Sequence, residues 1–240
     1  MKPKIISLVG LTASGKSAIG IKLAQKFNGE IISCDSRQVY RGLDIGTAKV
    51  TPAERALVPH HLLDVAEPGT QFNVHDFQKL AYAAIDDVLS RGKLPILVGG
   101  TGLYSRSVVE GYNFGKPHEP KYDVLQICLL PDKEHIRPLV EQRIYTRLEQ
   151  GMIAETQQLI ANGVSREWLK SLGLEYFWNI LYMEEDVTLD EYKKQLATKT
   201  MQYAKRQRTW FKKEKNTVYL TDPETFLQDC TNLVAKFINI

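Results

Sequence analysis

Hydrophobic residues along the chain form short continuous runs separated by longer stretches of helical periodicity. The runs lie at residues 5–9, 29–35, 94–98, 124–130 and 218–220, and most are rich in Ile, Val and Leu. Apolar runs of about four to eight residues are typical of strands buried on both faces. Between them, apolar residues recur every third or fourth position, as in amphipathic helices. This alternation predicts an α/β fold, a parallel sheet flanked by helices.

The last third of the chain has a mainly helical pattern. A long helix is predicted over residues 189–215, and a final amphipathic helix over residues 223–238. Residues 41–64, punctuated by Gly and Pro, are interpreted as a long active-site loop that closes onto a short strand. Residues 112–122 are interpreted as a polar linker. We expect residues 1–240 to form a single α/β domain with a helical C-terminal part.

Residues 10–17 match the phosphate-binding motif G-x-x-x-x-G-K-[ST] at every fixed position, between a predicted strand and a predicted helix. Its glycines let the loop curl so that backbone N–H groups point at an anion, and the start of the helix adds its positive dipole end. Lys16 adds a charge, and the Ser17 hydroxyl is the predicted protein ligand of a Mg²⁺ ion. The predicted diphosphate-binding residues are Gly10, Leu11, Thr12, Ala13, Ser14, Gly15, Lys16 and Ser17.

Asp35 is the last residue of the second predicted strand. Ligands of open α/β sheets bind at the carboxyl ends of the strands, so Asp35 is expected to face the same crevice as the phosphate loop. The position would equally suit an aspartate that caps a helix N-terminus. The residues alone leave both interpretations open.

The strand at residues 94–98 runs into a second glycine-rich turn, residues 99–102. A conventional P-loop ATPase has an aspartate at the end of such a strand to hold Mg²⁺, and glycines stand there in this chain. The pattern weakens the case for ATP hydrolysis. It favours a phosphate loop that holds a diphosphate leaving group in another transfer reaction.

The composition of the chain bears on its location and on its possible partners. The 240 residues are 43% apolar and 25% charged, and the net charge of +3 is too small to indicate nucleic-acid binding by itself. Three cysteines without a C-x-x-C pair indicate neither a disulfide framework nor a zinc site, so a reducing cytoplasm is the expected location. The apolar runs are too short for a signal peptide or a membrane span. We expect no membrane partner, and a monomer is the simplest expectation.

The positive charge is concentrated near the end of the long helix. Within residues 205–215 six cations stand against one acid, Glu214, and two aromatic residues lie among them: Lys205, Arg206, Arg208, Trp210, Phe211, Lys212, Lys213 and Lys215. Such a pattern can follow a nucleic-acid backbone and offer a stacking face. A solvated helix face with its aromatic residues in the core gives the same pattern, and this alternative stays open.

Taken in order, the motifs resemble those of the tRNA dimethylallyltransferase family. They are the phosphate loop, DSRQVY at residues 35–40, GTAK at 46–49, PHHLLD at 59–64, VGGTGLY at 98–104 and AKRQ-x-TWF at 204–211. The resemblance covers nearly the whole chain. It implies a P-loop NTPase-like domain that transfers a dimethylallyl group from dimethylallyl diphosphate to N6 of the adenine beside the anticodon in tRNA, with Mg²⁺.

The resemblance also implies roles for individual residues. An exocyclic amine is a poor nucleophile because its lone pair is delocalised, and Asp35 would accept its proton. Thr101 would lie beside the reacting atoms. The phosphate loop, Lys16 and Mg²⁺ would stabilise the leaving diphosphate. The residues that would contact the flipped-out adenine and the tRNA are Asp35, Ser36, Arg37, Gln38, Lys205, Arg206, Arg208 and Trp210.

The chain departs from the family pattern in ways that bear on function. Family members usually carry a helical insertion that grips the anticodon stem-loop, whereas residues 111–122 lead straight to the next strand, so a weaker RNA grip is expected. Met201 stands where the family usually has an arginine near the diphosphate, and Arg206 or Arg208 is the expected substitute. Leu11 replaces a usual proline.

Two other functions stay open on these grounds. The missing insertion favours a cytokinin-type enzyme that prenylates free AMP. Loss of both the insertion and the arginine favours a non-catalytic RNA-binding relative. A small-molecule P-loop kinase would leave the DSRQ block and the basic helix unexplained.

Overall fold

A computed structural model describes residues 2–112 and 119–239, which contain a six-stranded sheet. The strands are β1 (Lys4–Gly10), β2 (Gly29–Ser33), β3 (His60–His61), β4 (Leu94–Gly99), β5 (Asp123–Leu129) and β6 (Thr217–Leu220). Every strand pair is parallel, and the order across the sheet is β3-β2-β4-β1-β5-β6. The predicted parallel α/β fold is confirmed, and β1, which leads into the phosphate loop, lies between β4 and β5.

Helices occupy most of the rest of the described chain. They are α1 (Lys16–Lys26), α2 (Pro52–Leu57), α3 (Val74–Ser90), α4 (Gly102–Val109), α5 (Lys133–Glu149), α6 (Met152–Ala161), α7 (Arg166–Leu172), α8 (Leu174–Met183), α9 (Leu189–Phe211) and α10 (Phe226–Ile238).

Both faces of the sheet are covered, which accounts for the continuous apolar runs. Successive side chains of a strand point to opposite faces. Ile6 of β1 packs in a buried cluster with α1 and α10, whereas Ile5 packs in a second cluster with α3 and α4. Burial on two sides leaves no room for the polar alternation of a half-exposed strand.

The helical C-terminal part covers the carboxyl end of the sheet. Helices α5 and α9 share a buried cluster with Leu11 of the phosphate loop and Cys128 of β5. Helices α6, α7 and α8 share another with Val39 and Leu43, which follow β2. Ligands of parallel sheets bind at this end, so the two parts of the chain meet where a site is expected.

The main differences from the predicted elements lie at residues 41–64 and at the end of α9. Residues 41–64, predicted to be a loop, contain α2, which begins with a capping box of Thr51 and Glu54 and has Pro52 in its first turn. Helix α9 ends at Phe211, four residues before the predicted end at 215, because the chain must reverse before β6, and Asn216 takes the left-handed conformation there with φ of 53°. Of the predicted linker 112–122, residues 113–118 lie outside the described part.

The three cysteines are buried and free. Across residues 2–112 and 119–239, no helix has the length and apolar character needed to span a membrane.

A buried carboxylate ties the amino end of the sheet together. Glu30 at the start of β2 accepts hydrogen bonds from Arg91 Nη2 at 2.8 Å and from Lys93 Nζ at 2.7 Å, and His61 Nε2 lies 2.7 Å away. These bonds, above all those from Arg91, hold the pKa of Glu30 well below its usual range, against the effect of burial. The cluster lies at the opposite end of the strands from the phosphate loop and has a stabilising role.

Candidate active site

The phosphate loop is a tight turn between β1 and α1. Gly10 has φ of 146°, and a Cβ there would lie 2.4 Å from the carbonyl oxygen of Leu129, so only glycine fits. Gly15 has φ of 82° and caps α1. The first N–H groups of a helix have no intrahelical partner, and here those of Gly15, Lys16 and Ser17 follow one another at the turn. The loop therefore presents backbone donors and the positive end of the helix dipole to one point.

A cavity of about 360 Å³, here termed the donor cavity, lies over this turn and is lined by residues 12–18 of the loop. The hydroxyl of Ser14 is buried and has no hydrogen-bond partner among the described residues. Buried polar atoms rarely lack a partner, and a phosphate oxygen in the cavity would supply one. Gly10 and Leu11 do not line the cavity; Leu11 donates its N–H to the Leu129 carbonyl at 3.2 Å and so anchors the loop on β5.

Two partly buried cations lie beside the loop. The Lys16 ammonium donates to the Leu11 carbonyl, and burial, followed by the neighbouring Arg143, lowers the pKa of Lys16 from 10.5 to about 8, while Asp35 acts in the opposite direction. Arg143 of α5 donates from Nη1 to Thr12 Oγ1 at 3.1 Å, and burial lowers the pKa of Arg143 to about 10. Cations held in this way, next to free N–H groups, suit a multiply charged anion.

A second cavity of about 390 Å³, here termed the acceptor cavity, adjoins the first. Four of its lining residues are aromatic: Tyr176, Phe177, Trp178 and Tyr203. The two cavities share five lining residues: Thr12, Asp35, Thr47, Arg143 and Tyr203. A phosphate site and a cavity with aromatic walls are therefore contiguous, and Asp35 lies where they meet.

Asp35 both faces the crevice beside the phosphate loop and caps a turn, the two roles that its position in the sequence allowed. Its Oδ1 accepts the N–H groups of Arg37 at 2.8 Å and Gln38 at 3.4 Å, so the carboxylate caps the turn that follows β2, although no helix begins there. Its Oδ2 makes no hydrogen bond to another described residue. Because Asp35 lines both cavities, one oxygen is free to act on a ligand while the other fixes the side chain.

Thr101 supports this turn from the side of β4. Its Oγ1 accepts the N–H of Ser36 at 3.0 Å, and its own N–H donates to the Cys34 carbonyl at 3.3 Å. A Cβ on Gly99 would lie 2.0 Å from that carbonyl oxygen, so the turns after β2 and β4 are in direct contact. Thr101 lines neither cavity and reaches the site through Ser36. Its catalytic role stays a prediction.

The remaining residues predicted after β2 divide into two groups. Ser36 and Arg37 line the acceptor cavity. Gln38 lines the donor cavity, but its amide donates to the carbonyls of Thr47 at 3.3 Å and Ala48 at 3.2 Å, so it shapes the segment opposite.

Residues 44–48, the segment that Gln38 contacts, are also held by Glu155 of α6. The carboxylate accepts the N–H groups of Asp44 at 2.8 Å, Ile45 at 2.6 Å and Gly46 at 3.0 Å, together with the Tyr176 hydroxyl at 2.9 Å. A Cβ on Gly46 would lie 2.7 Å from the Tyr176 ring. Two walls of the acceptor cavity are thus joined through one carboxylate.

The predicted tRNA-contacting residues of α9 occupy different surfaces. Arg206 lines the acceptor cavity and also a groove of about 640 Å³ on the outer side of α4 and α9, where Lys205 and Trp210 lie. The ring of Trp210 is covered by the guanidinium of Arg106, 4.7 Å from its centroid. Arg208 donates to the Pro131 carbonyl instead. Contact of these residues with RNA stays a prediction. The Arg208 guanidinium already donates a hydrogen bond to a backbone carbonyl.

The IPP transferase family model matches residues 38–121 and 114–214. The chain belongs to the IPP transferase family. It is 33% identical to tRNA dimethylallyltransferase 2 of Geotalea uraniireducens over 303 residues, which cover 98% of each chain. It is 37% identical to the tRNA dimethylallyltransferase of Lactococcus lactis over 264 residues, 87% of this chain and 89% of that protein.

Solved structures of the IPP transferase family have the same fold. The full-length tRNA isopentenylpyrophosphate transferase of Bacillus halodurans gives a TM-score of 0.89 at 31% identity, covering 98% of this chain and 96% of that chain. A eukaryotic dimethylallyltransferase acting on tRNA gives a TM-score of 0.83 at 25% identity, with coverage of 99% and 79%. The predicted resemblance to tRNA dimethylallyltransferases is confirmed.

This member of the IPP transferase family is shorter than the relative from G. uraniireducens. Their alignment extends over 303 positions although this chain has 240 residues, so that relative carries stretches without a counterpart here. The two matches to the family model overlap at residues 114–121. The absence of an insertion at residues 111–122 stays a prediction, and residues 113–118 lie outside the described part.

Sequence reasoning missed Arg143, which lines both cavities in this IPP transferase. Arg206 or Arg208 was the expected substitute for the arginine replaced by Met201, yet Arg143 from α5 is the arginine bonded to the loop. A signal was present in the sequence. Arg143 and Arg147 recur at the same helical spacing as the apolar residues of α5, and an arginine on an apolar face needs a buried partner.

Proposed function

We propose that this IPP transferase moves the dimethylallyl group of dimethylallyl diphosphate onto N6 of the adenine next to the anticodon in tRNA. The observation that carries the proposal is the position of Asp35, which lies where the phosphate-binding cavity meets the cavity with aromatic walls. The family relationship supports it, because the relatives that match most of the chain are named tRNA dimethylallyltransferases.

The geometry suits a direct displacement. The adenine N6 lone pair forms a bond to C1 of the dimethylallyl group, the C1–O bond breaks, and the diphosphate leaves with the electron pair. The amine then carries a surplus proton, which the free Oδ2 of Asp35 accepts. Because both reactants are held in adjoining cavities, a bimolecular reaction becomes effectively unimolecular. This proximity accounts for a large part of the rate acceleration that such a site can supply.

The leaving diphosphate is stabilised by the residues of the donor cavity. The backbone N–H groups of residues 15–17, the Ser14 hydroxyl and the cations of Lys16 and Arg143 would bind its oxygens as charge develops on them. Thr12 contributes less directly, because its hydroxyl is bonded to Arg143 and its N–H to Gln207.

Mg²⁺ fits the residues of the donor cavity. Ser17 and Glu54 line it with a hydroxyl and a carboxylate, and oxygen ligands are those that Mg²⁺ prefers. Within the described residues no three His, Cys, Asp or Glu side chains are grouped to hold a metal by themselves. Mg²⁺ would therefore bind together with the diphosphate, with Ser17 as the protein ligand, and would neutralise charge on the leaving group.

The acceptor is proposed to be an adenine flipped out of the anticodon loop. Aromatic walls suit stacking of a base, and Arg37 and Arg206 lie in the same cavity, where phosphates that flank the flipped nucleotide would pass. The groove with Lys205 continues from Arg206 along α9. The chain would act as a monomer in the cytoplasm.

A prenyl-transfer assay with two acceptors tests the proposal. Wild-type protein, Asp35→Asn and the control Asp190→Asn, an exposed residue in the first turn of α9, receive dimethylallyl diphosphate, Mg²⁺ and either an anticodon stem-loop or AMP. We expect product on the RNA with wild type and the control, and a rate lower by about 10²–10⁴-fold for Asp35→Asn, the range for loss of a general base. Product on AMP alone would replace tRNA by a free nucleotide as the acceptor. No product on either would remove the proposed activity.

A further inference from the structure

Gln207 lies on the buried face of α9, between the phosphate loop and the turn after β4. The residue is 6% exposed, and its side chain spans two backbone segments. Oε1 accepts the N–H of Thr12 at 2.8 Å, and Nε2 donates to the carbonyl of Gly100 at 2.9 Å. Gly100 leaves the space for this contact, because a Cβ there would lie 2.5 Å from Nε2.

The two bonds join the donor side of the site to the acceptor side. Thr12 belongs to the phosphate loop and lines both cavities. Gly100 immediately precedes Thr101, whose hydroxyl holds the N–H of Ser36 in the turn that Asp35 caps. A single amide thus connects the loop that would hold the diphosphate with the turn that carries the proposed base.

We propose that Gln207 is a positioning residue that sets the separation between the bound diphosphate and Asp35. The inference rests on the proposed function. The position needs an acceptor at one end of the side chain and a donor at the other, with the reach of a glutamine. Asparagine has both groups but is one methylene shorter, and methionine has the length without the groups.

The bond from Thr12 also orients the phosphate loop itself. Because the Thr12 N–H donates to Gln207, it does not serve as a hydrogen-bond donor to the anion. The diphosphate is left to the N–H groups of residues 15–17, which lie further along the turn. Losing Gln207 would free a competing donor and let the diphosphate shift towards Thr12, while the cations that supply most of the affinity remain.

Substitution of Gln207 should therefore lower the rate of prenyl transfer more than it weakens diphosphate binding. Misplacing reacting groups by ~1 Å can lower a rate on the order of 10²-fold. We expect kcat for stem-loop prenylation to fall by about 30- to 100-fold in Gln207→Met and Gln207→Asn. The Kd for inorganic diphosphate, measured by calorimetry with Mg²⁺, should change by no more than about threefold, because Lys16, Arg143 and the helix N–H groups are intact.

The test compares these variants with Gln195→Met, an exposed residue of the same helix outside the cavities and the groove, for which no change is expected. Diphosphate stoichiometry counts the folded sites in each preparation, so kcat is expressed per binding-competent site. A kcat per site within about twofold of wild type in both variants, or a fall in kcat matched by an equal loss of diphosphate affinity, would overturn the proposal. Failure of the proposed function is distinguishable, because the wild type itself would then give no product while still binding diphosphate.

Discussion

Because the pKa of Lys16 is depressed, we expect use of the dimethylallyl donor to depend on pH in a range where an ordinary lysine would not respond. As a proposed diphosphate ligand, Lys16 would act as a cation, so its contribution would be complete below its pKa and lost above it. Burial and Arg143 lower that pKa from 10.5 to about 8. The ammonium is then protonated in about 90% of free molecules at pH 7 and in about 10% at pH 9.

The expected result is a fall in kcat/KM for dimethylallyl diphosphate above pH 8, approaching tenfold per pH unit, because this parameter reports ionisations of the free enzyme. Lys16→Arg keeps its charge throughout and should show no such fall, which separates the lysine from any ionisation of the substrates. Arg143→Gln removes a cation that depresses the lysine pKa, so the fall should move to higher pH, on a lower absolute activity.

The assay measures initial rates of stem-loop prenylation at limiting donor between pH 6.5 and 9.5, in buffers of constant ionic strength. A flat wild-type profile over this range would show that titration of Lys16 does not control donor use. So would a fall of equal size and midpoint in Lys16→Arg, since the titrating group would then lie elsewhere.

Three further outcomes follow from other contacts in the structure. Glu30→Gln should lower the free energy of unfolding by about 2–3 kcal/mol at pH 7, because Arg91 loses a buried carboxylate. The stability due to Glu30 is full above its ordinary pKa of 4.5 and is lost as pH falls below it, so urea titrations of variant and wild type should converge in acid. Glu155→Ala should raise the KM for the stem-loop by roughly tenfold with little change in the KM for the donor, because three backbone N–H groups lose their acceptor; equal changes in both parameters would contradict this. Gly99→Ala should abolish activity and lower Tm, because its Cβ would lie 2.0 Å from the Cys34 carbonyl oxygen; wild-type activity would contradict the close packing of these turns.

Local features of the sequence predicted the phosphate loop and the neighbourhood of Asp35. A motif of eight residues between a strand and a helix specifies its own geometry, and the parallel sheet places the ends of β1 and β2 on one edge. Helix α2 was also encoded locally, by the capping box at Thr51, but the surrounding Gly and Pro residues favoured a loop.

Other parts of the site depend on contacts between residues far apart in the chain. Arg143 is 131 residues from Thr12, and Gln207 is 195 residues from it. Helical periodicity indicates which face of α5 or α9 is buried, but not which loop that face will meet. The hydrogen bond from Arg208 to the Pro131 carbonyl could not be predicted for the same reason. A run of basic residues in the sequence does not show which of them will bind a backbone carbonyl.

The identity of the prenylated atom tests the proposed role of Asp35 directly. Wild-type protein is incubated with dimethylallyl diphosphate, Mg²⁺ and two stem-loops, one with adenine beside the anticodon and one with purine, which lacks the exocyclic amine. The RNA is then digested to nucleosides for mass spectrometry. We expect N6-dimethylallyladenosine from the first stem-loop and unmodified nucleosides from the second. Equal prenylation of both would show that the exocyclic amine is not the acceptor, and would contradict a site built around proton removal by Asp35.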